Sequence, residues 1–239
     1  MSERPMRVWS ASRVWTGLAL AAWAGLFWFV LADGRIALYL SSRTAWLVPM
    51  GAVLATGAAA GRLATARTAR REALGRREAW MLGFVVLPVV IILAMPPATL
   101  GTYAAGRRSS FVGAGVAASS GNLDSGTITL IDVAAAQSSK QGQAALQRHA
   151  GDPVSFEGLV TTDPGAGPGE FLLTRFIITC CVADATIAQV KVVDGPPGQL
   201  PDNSWVRVTG KLYPLGSEVL IDASEVTPIP QPAQPYLTP

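Results

Sequence analysis

Three stretches of the chain, residues 15–32, 44–61 and 79–95, contain no charged side chain. Each is close to the about 20 apolar residues that a helix needs to cross roughly 30 Å of hydrocarbon. An amphipathic helix on a soluble core would show a polar residue at every third or fourth position, and these windows show almost none. They are therefore expected to span a membrane, the second one being alanine-rich and interrupted by Pro49. Composition agrees, because 15% charged residues is well below the about one quarter of an average soluble domain. The first window follows Arg4, Arg7 and Arg13, as a signal peptide would. It is long, rich in Trp and Phe, and followed by Asp33 and Arg35 instead of a small-residue cleavage site, so it reads as an uncleaved helix.

The formal charge of +3 hides a segregation. Up to residue 100 there are eleven arginines against four acids, and beyond it eight bases against twelve acids. Arginines are retained on the cytoplasmic side of short loops. Three precede the first window, two lie in the loop 33–43 and six in the loop 62–78. The expected topology has the N-terminus in the cytoplasm and everything after the third helix outside. The basic half thus reports membrane orientation and anionic lipid headgroups, and no nucleic-acid partner is expected.

None of the windows contains an acid, a histidine or a lysine, so the helices make a poor ion path by themselves. The Gly57-Ala58-Ala59-Ala60-Gly61 run offers a face of small residues on which another helix can pack closely. Pro88 is expected as a kink, and Pro96-Pro97 as the end of the third helix.

Residues 1–97 are accordingly read as a three-helix transmembrane domain and 98–126, rich in Gly, Ala and Ser, as a linker with at most a short helix. Residues 127–227 are read as an extracytoplasmic β domain and 228–239 as a Pro-rich tail outside its core. Within the β domain, 127–133 alternates like a strand and a short helix is expected around 144–149. Strands follow at 154–162, 170–180, 186–193, 205–213 and 218–226, separated by Gly/Pro turns. Five strands with internal glycines at Gly158 and Gly210 suggest an OB-like five-stranded barrel. Such barrels bind oligonucleotides through basic, aromatic grooves, but this domain is acidic.

The only two cysteines are adjacent, Cys180-Cys181. Four readings stand open: one buried packing thiol beside an incidental one; a strained vicinal disulfide, permitted outside the cytoplasm; a soft-metal site with Asp184 as third ligand; and a catalytic thiol. His149 is the only histidine, so a Cys/His pair has one possible partner and a zinc site needs ligands from elsewhere. No Ser/His/Asp set, Walker loop or dinucleotide fingerprint occurs, and no enzyme is expected.

Four elements together resemble the YcgQ-like family of bacterial permease subunits. They are Pro96-Pro97-Ala98-Thr99-Leu100-Gly101, Gly151-Asp152-Pro153-Val154 with Glu157-Gly158-Leu159-Val160, Phe176-Ile177-Ile178-Thr179-Cys180-Cys181-Val182-Ala183-Asp184-Ala185, and Pro232-Ala233-Gln234-Pro235-Tyr236-Leu237. The Cys-Cys-x-Ala-Asp-Ala element is the specific one. The resemblance implies N-terminal helices, an extracytoplasmic β domain, a larger multi-pass permease as partner and a link to metal homeostasis, zinc in particular. Carried onto this chain, it singles out Cys180, Cys181 and Asp184 as a site for zinc or another soft metal. No cofactor is demanded by any other motif. The expectation is an accessory subunit of a permease complex in the bacterial cell membrane. The alternatives are an envelope redox or metal-sensing protein acting through Cys180-Cys181, and an inert membrane-anchored scaffold.

Overall fold

The computed structural model describes residues 8–68, 73–95, 98–108, 123, 128–163, 165–196, 200–216 and 218–238. The expected helix stop at Pro96-Pro97, most of the linker, and four of the counted arginines (4, 7, 70 and 71) lie outside these residues. In chain order the first unit contains β1 (Val8–Trp9), α1 (Ala11–Ala32), α2 (Leu47–Ala64), β2 (Arg67–Thr68) and α3 (Arg76–Ala94). Residues 1–36 and 44–98 form this compact unit, and residues 37–43 and 99–239 form a second one.

The three expected spans are the three long helices, of 22, 18 and 19 residues, each apolar enough to cross a bilayer. Ser10 caps α1 by accepting from the Arg13 N–H. α1 and α2 pack closely enough that a Cβ added at Gly17 would lie 2.7 Å from the Leu63 side chain, and one at Gly51 3.3 Å from the Phe27 ring. Polar groups are paired where they must enter the helix layer: Trp28 donates its indole N–H to Thr56 Oγ1 at 3.1 Å, and Trp23 donates to the Val85 carbonyl at 2.9 Å. α3 continues through Pro88. The small-residue contact sits at Ala52 and Ala59; Gly57 and Gly61 have no neighbour within 4 Å of an added Cβ.

The second unit comprises α4 (Thr102–Ala105), α5 (Leu130–Ala136), α6 (Lys140–Gln147), β3 (Pro153–Thr161), β4 (Phe171–Ile177), β5 (Thr186–Val193), β6 (Trp205–Leu215) and β7 (Glu218–Pro228). The five strands close into a barrel in the order β3-β4-β5-β7-β6, with β5 and β7 parallel and the other pairs antiparallel. Side chains alternate along β6, with Val206, Val208, Gly210 and Leu212 inward, as a closed barrel of period two requires. Closure needs sharp local coiling, and the β6–β7 register slips at Thr209/Gly210. A Cβ at Gly210 would collide with the Asp222 carbonyl, and one at Gly158 would lie 2.8 Å from the Thr174 carbonyl.

Two sequence expectations are corrected. Within the strand expected at 127–133, the chain from Leu130 onward instead forms α5, because Thr129 and Asp132 make a reciprocal capping box and Leu130, Val133 and Ala134 then face the barrel core. α5 and α6 pack with Val154, Phe156, Val190, Val206 and Leu212 in the larger of two clusters.

The Pro-rich tail was expected outside the core, yet Tyr236 is buried in the second cluster with Leu159, Phe176, Ile178, Ile187 and Trp205. Its ring meets Phe176 edge-on at 6.4 Å, and its hydroxyl accepts from the Leu100 N–H. Leu237 extends the sheet, donating to the Phe176 carbonyl and accepting from the Ile178 N–H. Arg175 fastens the segment by donating to the Gln234 carbonyl at 2.7 Å. Prolines hold the tail extended at little entropic cost, and an extended chain can be paired and packed without a regular element.

Candidate site at the Cys180–Cys181 loop

β4 stops at Ile177, three residues before the cysteines. On a continuing strand, adjacent side chains would point to opposite faces. A bend at Thr179 and Cys180, followed by a 3-10 turn at Val182–Asp184, breaks that alternation. Both sulfurs consequently stand on the same side, 3.7 Å apart and unbonded. Neither thiol is buried, Cys180 being exposed and Cys181 partly so, which removes the reading of one cysteine as core packing.

Asp184 holds the bend together from inside. Its carboxylate accepts from the backbone N–H groups of Thr179 at 3.0 Å, Cys180 at 2.7 Å and Cys181 at 3.4 Å. Burial pushes this carboxyl up, but hydrogen bonds from the Cys180 thiol and these three amides outweigh it and hold the pKa below the usual Asp value. The same carboxylate acts in the opposite sense on Cys180. A hydrogen bond to Asp184, another to Cys181, partial desolvation and the nearby negative charge push the Cys180 thiol up to about 11.

The loop is also held from outside by parts of the chain far away in sequence. Residues 37–43, from the connection between α1 and α2, lie in the barrel unit. Leu40 bridges Cys181 in an antiparallel pairing. Ser41 N–H donates to the Cys180 carbonyl at 3.1 Å, Val182 N–H to the Tyr39 carbonyl at 2.9 Å, and Ser41 Oγ to the Thr179 carbonyl at 2.8 Å. On the other flank, Arg108 donates to the carbonyls of Ala183 and Ala185. The amides of residues 179–182 and the carbonyls of residues 179–181 thus all have partners, and the side chains are presented on a pinned backbone.

The site residues named from the sequence, Cys180, Cys181 and Asp184, come together with their ligand atoms within 4.8 Å of one another, the one such grouping among the described residues. His149 is no member of it. Its Nδ1 lies 2.8 Å from Asp152 Oδ2 beyond the end of α6, so the Cys/His pairing weighed from sequence has no geometric basis. Sequence reasoning missed Tyr39, Leu40, Ser41 and Arg108. No local pattern could have found them, since their partners lie from 75 to 143 residues away.

The profile of a family described as DUF1980 C-terminal domain matches residues 120–239. That span includes α5, α6, all five barrel strands, the cysteine loop and the tail. No curated protein matches the chain.

Proposed function

The chain belongs to the DUF1980 C-terminal domain family, and from that premise we propose that it is an accessory subunit of a bacterial membrane permease complex. Its helices dock with a multi-pass partner, and its barrel works on the extracytoplasmic side. The observation that carries this reading is the pairing of Tyr39, Leu40 and Ser41 with the Thr179–Val182 loop. A pair of thiols that is not buried is thereby tied to the segment that joins two apolar helices. A subunit that passes information between an external site and a membrane partner needs such a tie. The spans themselves offer no ionisable residue within their apolar windows, which argues for assisting a conduit over forming one.

Orientation follows the same logic. The loop after the first span and the barrel after the third contribute to one compact unit, which supports their lying on the same side of the bilayer. Nine arginines before the first span and between the second and third, against two in the first loop, favour the outside for that unit. The resemblance noted from sequence adds a link to metal homeostasis.

The test is purification of the full chain from its native membrane in mild detergent. A multi-pass protein recovered at constant stoichiometry supports the assignment, and recovery of the chain alone overturns it. A second reading, an envelope redox or metal sensor without a permease, is favoured by the exposure of Cys180 and the partial exposure of Cys181. It predicts the solitary chain together with a phenotype for Cys180→Ser.

A further inference from the structure

We propose that Cys180 and Cys181 form a half-open binding site for a thiophilic divalent cation of tetrahedral preference, the protein supplying two thiolate ligands and Asp184 acting as the residue that positions them.

Geometry favours this over the other uses of two thiols. Two sulfurs bound at about 2.3 Å to one tetrahedral ion stand about 3.8 Å apart, and these stand 3.7 Å apart. A linear two-coordinate ion at the same bond length would need roughly 4.6 Å between them. A disulfide would need closure to about 2.05 Å with a distorted intervening peptide. The backbone at Cys181 is extended and bridged to Leu40, and closure of that ring would have to disturb it.

Asp184 is assigned as a positioning residue because both of its carboxylate oxygens already accept from the backbone. Oδ2 accepts from the N–H groups of Cys180 and Cys181, and Oδ1 from that of Thr179. These three amides fix the bend that brings the sulfurs to one side. The carboxylate also places a negative charge beside the ion without ligating it, as outer partners of metal sites do.

On binding, the cation replaces the two thiol protons, which pass to solvent. No oxidant or reductant is required. Two coordination positions remain for water or for donors from another chain. Structural zinc sites, by contrast, are closed by four protein ligands. With two protein ligands on an exposed loop, the site suits acquisition and hand-over of an ion. This goes beyond the accessory-subunit reading and does not depend on it: a chain that binds the ion but purifies alone leaves the site standing and that reading fallen.

The experiment titrates Co2+ into the reduced full-length chain in detergent. The expected result is one ion per chain, a thiolate-to-cobalt charge-transfer band with tetrahedral visible absorption, and bleaching of both by Zn2+. Cys180→Ser and Cys181→Ser should each cut the charge-transfer intensity per bound ion to about half, one of two thiolates being lost. Asp184→Asn should weaken binding about tenfold while leaving the intensity per bound ion unchanged. Circular dichroism establishes that each variant is folded. Absence of the charge-transfer band in the reduced wild type, or a band unchanged in both serine variants, overturns the site. An octahedral visible spectrum in the wild type overturns the tetrahedral assignment. A changed visible spectrum in Asp184→Asn overturns the positioning role and makes Asp184 a ligand.

Discussion

Ser41 Oγ donates a hydrogen bond to the Thr179 carbonyl at 2.8 Å across 138 residues of sequence, and Ser41 is only 1% exposed. Water cannot readily replace the hydroxyl there, so removing it leaves a carbonyl short of a partner. Ser41→Ala should destabilise the second unit by about 1 kcal/mol. Thermal unfolding of the full chain in detergent measures this. Hydrogen exchange at the Val182 amide, which donates to Tyr39, should speed up in the same variant. An unchanged exchange rate there would separate the loop from the α1–α2 connection.

Tyr236 has the largest structural role in the tail. It fills the second core cluster, meets Phe176 edge-on and accepts from Leu100. Tyr236→Ala should cost about 3 kcal/mol, in the range for a buried aromatic truncated to alanine. Tyr236→Phe should cost about 1 kcal/mol, since only the hydrogen bond to Leu100 is lost. Denaturant unfolding followed by tryptophan fluorescence, to which Trp205 in the same cluster contributes, resolves the two.

The reactivity of Cys180 should depend on pH in a way set by Asp184. With its thiol pushed up to about 11, alkylation at pH 8 should be slow and should rise about tenfold per pH unit until pH approaches 11. Asp184→Asn removes the negative charge and returns the thiol toward its ordinary value. The thiolate fraction at pH 8 should then grow by more than about tenfold. Rates measured by mass spectrometry of the labelled peptide check this, with Cys181→Ser as the background that isolates one thiol. A pH profile identical in the two proteins would remove Asp184 as the cause.

Asp184 also makes the loop acid-sensitive. Its folded pKa is depressed, so the stability it contributes is fully present above the unfolded value near 3.8 and is lost as pH falls through the lower folded value. Exchange or proteolysis at the Cys180–Ala185 loop should therefore increase below about pH 4 in the wild type. In Asp184→Asn the loop should be looser at neutral pH and change little on acidification.

Orientation is accessible through an exposed site on the barrel. Leu215→Cys in a Cys180→Ser, Cys181→Ser background places a single thiol at a residue 59% exposed at the end of β6. A membrane-impermeant maleimide should label it in intact spheroplasts. Labelling only after lysis would put the barrel in the cytoplasm and reverse the topology.

Much of the fold was legible because its signals are local. The spans 15–32, 44–61 and 79–95 reappear in α1, α2 and α3, since the absence of charge over the thickness of a bilayer leaves few alternatives. β5 coincides with the expected strand at 186–193, because period-two alternation between turn residues reports a half-buried strand directly. Residues 127–133 were misread because Thr, Ile and Val satisfy a strand pattern as well as a capped helix. Only the reciprocal Thr129–Asp132 bonds and the barrel core residues that α5 packs against decide between them. The tail was misread because proline-rich segments usually lack core contacts, and nothing local records that Tyr236 has Phe176 to meet.

By itself, then, the sequence determined the apolar spans, the barrel, and the choice of Cys180, Cys181 and Asp184 as the residues to examine, because hydropathy, periodicity and residue type are properties of neighbours in the chain. Tertiary structure alone decided that the two thiols share one side, that Asp184 clamps three amides, and that Ser41 and Arg108 secure the loop. Those outcomes depend on where distant backbone groups find partners once the barrel has closed, and a one-dimensional pattern carries no record of that.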